Sequence, residues 1–199
     1  MAKVIQFPVD PTPERFGPQR VRKKRLTNLE KHGQLNLFSG GKVVSLHQLS
    51  AFEEALMLDD RGDFQGARDR YTKAIEEGDA LADSYCNLGI LEFQEGNFTK
   101  AIDFFTMSLK HDPRHFEAHY NLANLYGEVG NFALAKVHYQ VSIEIEPSFP
   151  NSYFNLGLTL AMNNEFKEAI KVLNKYRELT PENDHLNADE LILKLSNPS

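Results

Sequence analysis

The sequence predicts an all-α protein in which four helix-turn-helix repeats stack into an α-solenoid. Phenylalanine recurs at a constant spacing of 34 residues, and alanine keeps the same spacing three positions later. A fixed period in the thirties is typical of solenoids, whose repeats are supersecondary units that pack on their neighbours. The phenylalanines are Phe64, Phe98, Phe132 and Phe166, and the alanines are Ala67, Ala101, Ala135 and Ala169.

Residues 82–115 illustrate why each repeat is expected to form two helices. Tyr85, Leu88 and Gly89 are spaced by three and four residues, which places them on one face of a first helix. Gly96 then predicts a turn, and a second apolar series follows it. Pro113 marks the end of that second helix because proline cannot donate the helical hydrogen bond.

The same pattern divides the whole chain. We expect a basic flexible N-terminal arm with little regular structure, a divergent first repeat, three regular repeats, and a closing helix with a short tail. Leu186, Leu191, Ile192 and Leu195 are expected to cover the last repeat. The predicted boundaries are 1–47 for the arm, 48–81, 82–115, 116–149 and 150–183 for the repeats, and 184–199 for the closing helix and tail.

Small residues recur where the two helices of a repeat should meet. Gly89, Ala123 and Gly157 share one position of the first helices, opposite the periodic alanines. Small residues on both sides let two helix backbones approach closely. The periodic phenylalanines are then expected to plug the joint between helices, which makes them packing residues rather than binding residues.

These residues resemble the tetratricopeptide repeat, whose pattern is an aromatic residue, Leu-Gly, Tyr, Ala, Phe or Tyr, Ala and Pro. The second repeat contains YCNLGILEFQEGNFTKAIDFFTMSLKHDP, and the third and fourth agree with it in register. In the first repeat Glu54 replaces the usual Leu and Asp79 replaces the Pro, as expected of a terminal cap. The resemblance covers about 48–183. It implies that the α-solenoid is a right-handed superhelix and that the protein is a non-enzymatic protein-binding module or scaffold.

The resemblance also implies where a ligand binds. In this family the first helices line a concave groove that takes an extended peptide or a partner helix. Cys86 and Leu56 lie among the groove positions. The positions expected to bind peptide are Phe52, Asn87, Ile90, Phe93, Tyr120, Asn121, Asn124, Phe154, Asn155 and Leu158.

Asn87, Asn121 and Asn155 recur at the same 34-residue spacing. A side-chain amide has both a donor and an acceptor, so such a series can pair with a peptide backbone without depending on its sequence. Similar asparagine series serve that purpose in some members of the family. A local contact between helices is the alternative interpretation.

Charge separates the arm from the repeats. Residues 1–47 carry nine Lys and Arg against three acids, a net charge of +6, whereas residues 48–199 carry 13 against 25, a net charge of −12. No predicted groove position is basic, so a carboxylate clamp of the kind that binds chaperone C-termini is not expected. An apolar or basic segment is favoured, and the arm itself, docking in its own groove, is one such segment.

The arm contains a second candidate motif. Gln34, Leu35, Leu37 and Phe38 resemble the short peptide with which bacterial proteins dock to the replication sliding clamp, where Gln is a polar anchor and Leu-Phe fills an apolar pocket. Packing of these residues on the first repeat is the alternative. With the basic run at 20–25, the motif gives a second function hypothesis, an adaptor that contacts the sliding clamp or DNA.

Other chemistry is not indicated. His115 and His119 have a spacing that zinc sites use, but Pro113 interrupts a helix that would include His111, and we expect no metal. No catalytic set or phosphate loop is apparent, so neither enzymatic activity nor a cofactor is expected. No apolar run approaches the ~18 residues of a membrane span. A single cysteine, Cys86, favours a reducing, cytoplasmic setting.

Overall fold

The computed structural model describes residues 14–22 and 49–197. Within these ranges the chain forms nine α-helices and one short 3-10 helix, and it forms no strand. The α-helices are α1 (Ala51–Asp60), α2 (Phe64–Glu77), α3 (Leu81–Gln94), α4 (Phe98–His111), α5 (Phe116–Glu128), α6 (Phe132–Ile145), α7 (Pro150–Met162), α8 (Phe166–Leu179) and α9 (Leu186–Ser196), and the 3-10 helix is Glu182–Asp184.

The helices pack in chain order. The most extensive contacts join α1 to α2, α3 to α4, α5 to α6 and α7 to α8, and each pair then packs on the next. The first helices of successive pairs also touch one another, α3 with α5 and α5 with α7. This arrangement confirms the predicted all-α solenoid. None of the helices in the described ranges is long and apolar enough to cross a membrane.

The turn inside each helix pair has a conformation that explains the residue found there. Gly62, Gly96 and Gly130 recur every 34 residues with φ of 79°, 78° and 77°, and Asn164 takes the same position with φ of 62°. This left-handed region costs glycine little, and asparagine tolerates it better than most other residues. The 34-residue period therefore holds for the turns between paired helices as well as for the helix faces.

Close packing between paired helices depends on the small residues. A Cβ atom added to Gly89 would lie 2.7 Å from the ring of Phe105, and one added to Gly157 would lie 2.7 Å from Leu173. Ala123 occupies the equivalent position of the third repeat and is fully buried. The glycines thus leave room for the large side chain that the second helix contributes.

Two predicted packing roles are corrected. Phe64 is 46% exposed and does not plug a helix joint, although the equivalent Phe98 packs against Phe93 with ring centroids 5.8 Å apart. Leu186 is 68% exposed, whereas Leu191 and Leu195 are buried against the last repeat. Leu186 precedes Leu191 by five positions, which turns it away from the helix face that packs.

The glycine packing gives a stability prediction. We expect Gly89→Ala to lower the free energy of unfolding by roughly 1–3 kcal/mol, because the new methyl group overlaps the Phe105 ring. Alanine is the better helix former by about 1 kcal/mol, so a variant without this overlap would be more stable, not less. Urea denaturation distinguishes the two outcomes. Lys100→Ala, an exposed change on α4, serves as the control.

Candidate functional site

Residues 14–22 lie along the first helices of three repeats and form neither helix nor strand. Phe16 contacts α7, Gln19 contacts α5 and Val21 contacts α3. The segment therefore runs opposite to the order of the repeats. We call it the docked segment. It belongs to the arm that the sequence predicted to be flexible, and within the arm it follows a defined path.

The three periodic asparagines each hold one residue of the docked segment by both backbone groups. Asn155 accepts the N–H of Phe16 at 2.9 Å and donates to its carbonyl at 3.0 Å. Asn121 does the same for Gln19 at 2.8 and 2.9 Å, and Asn87 for Val21 at 3.1 and 3.4 Å. Because only backbone atoms of the segment take part, these contacts fix its position without selecting its side chains.

All three asparagine side chains are fully buried. A buried amide that lacks hydrogen bonds costs free energy, so it needs partners. Their amide nitrogens also reach neighbouring groups, including the Tyr71 hydroxyl from Asn87 at 3.1 Å and the Tyr120 hydroxyl from Asn155 at 3.0 Å. Each side-chain oxygen nevertheless accepts a backbone N–H of the docked segment, so the segment completes the hydrogen bonding of the three buried amides.

A second set of polar groups surrounds the carbonyl of Phe16. The Tyr120 hydroxyl lies 3.1 Å from this oxygen and 3.2 Å from that of Gly17, and Asn124 approaches both at 3.4 Å. The Asn124 oxygen accepts in turn from Asn155 at 2.9 Å. Burial raises the pKa of Tyr120, so its hydroxyl remains a neutral donor at ordinary pH.

Apolar contacts anchor the two ends of the docked segment. The Phe16 ring meets Phe154 edge-on with centroids 5.1 Å apart, and Tyr176 lies at 6.1 Å. Val21 is buried in a cluster that includes Cys86 and Ile90. The segment thus buries one aromatic side chain against α7 and α8 and one aliphatic side chain in the cluster around Cys86 and Ile90.

Arg20 makes the most specific side-chain contacts of the docked segment. Its guanidinium pairs with the carboxylate of Asp59 on α1 and donates to Gln94 at 3.1 Å. It also lies over the ring of Phe64, 5.8 Å from the centroid. Burial raises the pKa of Asp59 above its usual value, and the charge of Arg20 opposes that shift.

Arg15 occupies a slot that a glycine leaves open. A Cβ atom at Gly127 would lie 3.0 Å from the guanidinium carbon of Arg15. The Arg15 Nε atom is buried and has no hydrogen-bond partner among the described residues. This arginine is therefore enclosed sterically but is bound less completely than Arg20.

The predicted peptide-binding residues are distributed unevenly around the docked segment. Its hydrogen bonds and ring contacts involve Asn87, Tyr120, Asn121, Asn124, Phe154 and Asn155. Ile90 and Leu158 are buried in the clusters that receive Val21 and Phe16, and Phe93 packs at the edge of the first of these.

Phe52 differs from the other predicted positions. It is fully buried in the core of the first repeat, beside Tyr71. Its position thus serves packing of α1 on α2 rather than the groove surface. Gln34, Leu35, Leu37 and Phe38 lie outside the described residues, so sliding-clamp docking stays a prediction.

Sequence reasoning missed Asp59, Phe64 and Gly127 as contacts of the docked segment. In the sequence, Asp59 counts only toward the acidic charge of residues 48–199, and the 34-residue period of Phe64 predicts packing. Their roles depend on which arginine comes to lie beside them, and no periodicity relates the arm to the repeats. The burial of the acidic Asp59, which is unusual for its residue type, is seen only in the structure.

The histidines do not form a metal site in the described part of the chain. His115 contacts Asp83 at 2.9 Å, whereas His119 turns towards His138, with 3.0 Å between their Nδ1 atoms. No group of three or more metal-ligating side chains occurs among the described residues. Burial lowers the pKa of His119, and burial together with His119 lowers the pKa of His138 to about 4.

The sequence matches family models for the tetratricopeptide repeat at residues 82–115, and at residues 104–136 and 138–171. No curated protein matches the sequence significantly.

Solved structures of this architecture resemble the chain. The first tetratricopeptide domain of Spaghetti (RPAP3) bound to the HSP90 peptide SRMEEVD has 24% identity and a TM-score of 0.55, over 58% of this chain and 90% of that one. The yeast Sti1 TPR2B domain in complex with pHsp70 has 22% identity and a TM-score of 0.54, over 58% and 95%. MamA from Desulfovibrio magneticus RS-1 has 20% identity and a TM-score of 0.59, over 71% and 89%. At these identities the likeness concerns the fold.

The histidine pair gives a pH prediction. Because the folded state lowers the pKa of His138, the unfolded state binds more protons between pH 6.5 and about 4. The free energy of unfolding should therefore fall as the pH falls through this range. Urea titrations at pH 7 and pH 5 should show a smaller loss for His138→Gln than for the wild type. His111→Gln, at an exposed position, should retain the wild-type loss, and equal losses in all three proteins would contradict the prediction.

The single cysteine gives a probe of the docked segment. Cys86 is fully buried beside Val21, and burial raises the pKa of its thiol, so a thiol reagent should label it slowly. We expect Val21→Asp to raise the labelling rate roughly tenfold or more, because a charge there opposes docking. Arg22→Gln, a change at the exposed neighbouring residue, should leave the rate unchanged. If Val21→Asp also left the rate unchanged, the docked segment would not protect the groove.

Proposed function

The chain belongs to the tetratricopeptide repeat family, and we propose that its groove binds an extended segment of a partner protein in place of the docked segment. The proposed role is binding rather than catalysis. The chain would act as a scaffold or adaptor that holds the partner along the first helices.

One observation carries this proposal: three asparagines one repeat apart each hold both backbone groups of a single residue. Backbone groups are common to every extended peptide, so another segment can satisfy the same amides. The alternative, that these asparagines make only local contacts between helices, does not account for a donor and an acceptor that both face the groove.

The docked segment then acts as a built-in competitor. It is part of the same chain, which gives it a high effective concentration at the groove. A partner segment must compete with the docked segment through tight binding or high concentration, unless another contact holds the arm away. Binding of the partner is therefore coupled to release of the arm, because both occupy the same groove.

The proposal is tested with a labelled synthetic peptide that has the sequence of residues 14–22. The receptor is the full chain carrying Phe16→Asp, Arg20→Gln and Val21→Asp, which we call the arm-opened variant. We expect fluorescence anisotropy to detect binding to the arm-opened variant and much weaker binding to the wild type, because the wild-type arm competes. Asn121→Ala and Asn155→Ala, added to the arm-opened variant, should abolish binding.

A matched control uses Asn174→Ala, an exposed asparagine of α8 outside the groove, which should leave peptide binding intact. Failure of the arm-opened variant to bind the peptide would overturn the proposed function, and so would equal binding by the Asn121→Ala, Asn155→Ala variant. Partners can then be sought by affinity purification with the arm-opened variant. A partner that uses the groove should be released by excess peptide.

A further inference from the structure

Asp59 is an unusual residue for the wall of a groove that otherwise offers amides and apolar side chains. It lies near the end of α1 and is only 6% exposed. Its Oδ2 atom accepts from the Tyr71 hydroxyl at 3.2 Å and pairs with Arg20. Its Oδ1 atom is buried and accepts no hydrogen bond from the described residues. The carboxylate therefore depends strongly on the cation beside it.

A buried carboxylate that loses its counter-ion is costly, because neither water nor another charge replaces the lost interaction. Burial already raises the pKa of Asp59, and Arg20 is the cation that opposes this effect. An occupant that brings no cation to this point leaves Asp59 poorly compensated. Rejection of such occupants is as much a source of selectivity as attraction of the correct one.

The surroundings of Asp59 fit a guanidinium better than an ammonium group. Arg20 meets the Asp59 carboxylate with one terminal nitrogen and the Gln94 side chain with the other, and its guanidinium carbon lies over the Phe64 ring, 5.8 Å from the centroid. A planar group with several fixed donors can make these three contacts together. Lysine has one compact charge and cannot reproduce the arrangement.

The backbone contacts fix where this cation must occur in the bound sequence. Asn121 holds Gln19 and Asn87 holds Val21, so the residue between them faces Asp59. Four positions earlier, Phe16 lies against Phe154 and Tyr176. A shift of the bound segment by one residue would move both side chains away from their sites.

We propose that Asp59, together with Gln94 and Phe64, makes the groove select partner segments that carry an arginine four residues after an aromatic residue. This inference rests on the proposed function and specifies the chemistry of the segment. The partner is an extended, basic peptide with an aromatic anchor, bound in the direction opposite to the repeat order.

Arg22, another arginine of the docked segment, supplies an internal control. Arg22 is exposed, in contrast to Arg20. A peptide with Arg20→Gln and a peptide with Arg22→Gln have the same net charge, and they differ only in which arginine is missing. General attraction between a basic peptide and the acidic repeats affects both equally.

The experiment measures binding of these two peptides and of the unchanged peptide to the arm-opened variant. We expect Arg20→Gln to weaken binding about thirtyfold or more, as for removal of one partner of a buried charge pair. Arg22→Gln should weaken it by less than about threefold. Arg20→Lys should bind less well than the unchanged peptide, because an ammonium group loses the contacts with Gln94 and Phe64.

A double-mutant cycle assigns the effect to Asp59. When Asp59→Asn is added to the arm-opened variant, the unchanged and Arg20→Gln peptides should bind within about threefold of each other. Asp60→Asn, at the exposed neighbouring residue, should preserve the large difference. Circular dichroism checks that both receptors are folded. The comparison between the two peptides needs no change to Asp59, so it decides the matter even if Asp59→Asn unfolds.

The outcomes separate the two proposals. If the unchanged peptide does not bind, the proposed function fails and the inference fails with it. If it binds but Arg20→Gln and Arg22→Gln weaken binding equally, the groove accepts extended segments without selecting arginine, and only the inference is overturned. Loss of the effect of Arg20→Gln in the Asp60→Asn receptor would place the selectivity in overall charge rather than in Asp59.

Discussion

The buried side-chain amide is the constraint on which the rest of this structure depends. With the docked segment in place, Asn87, Asn121 and Asn155 are fully buried, so their donors and acceptors must find partners inside the groove. Helix packing alone satisfies part of this requirement. The backbone of the docked segment satisfies the remainder, and these hydrogen bonds fix the direction and register of that segment in the groove.

The geometry of the solenoid explains why an extended chain meets the asparagines so regularly. Neighbouring helix axes lie roughly 8–10 Å apart, and an extended chain advances about 3.3 Å per residue. Two or three residues therefore cover the step from one repeat to the next. The intervals from Phe16 to Gln19 and from Gln19 to Val21 have these lengths. In a helix the backbone N–H and C=O groups already bond to one another, so few of them would be free to pair with the asparagines.

Properties that follow the 34-residue period could be predicted from the sequence, and properties that do not follow it could not. The residues that indicate the helix pairs, the turns and the asparagine series each recur three or four times at the same spacing. Such recurrence is improbable by chance. Arg20 and Asp59 are brought together by the path of a segment that has no repeat, 39 positions apart. Phe64 shows the limit of the period itself. Its register indicated packing, but at the first repeat the same position is exposed and lies beneath a guanidinium.

The docked segment spans three repeats, and this has a consequence for how the solenoid unfolds. In a simple array each repeat contacts only its neighbours, so stability is a sum of local terms and terminal repeats fray independently. Here the docked segment bonds to the second, third and fourth repeats at once. We expect fraying of the fourth repeat to release Phe16 and so to loosen a segment that also bonds to the second repeat. We therefore expect the repeats to unfold more cooperatively while the segment is docked than when it is released.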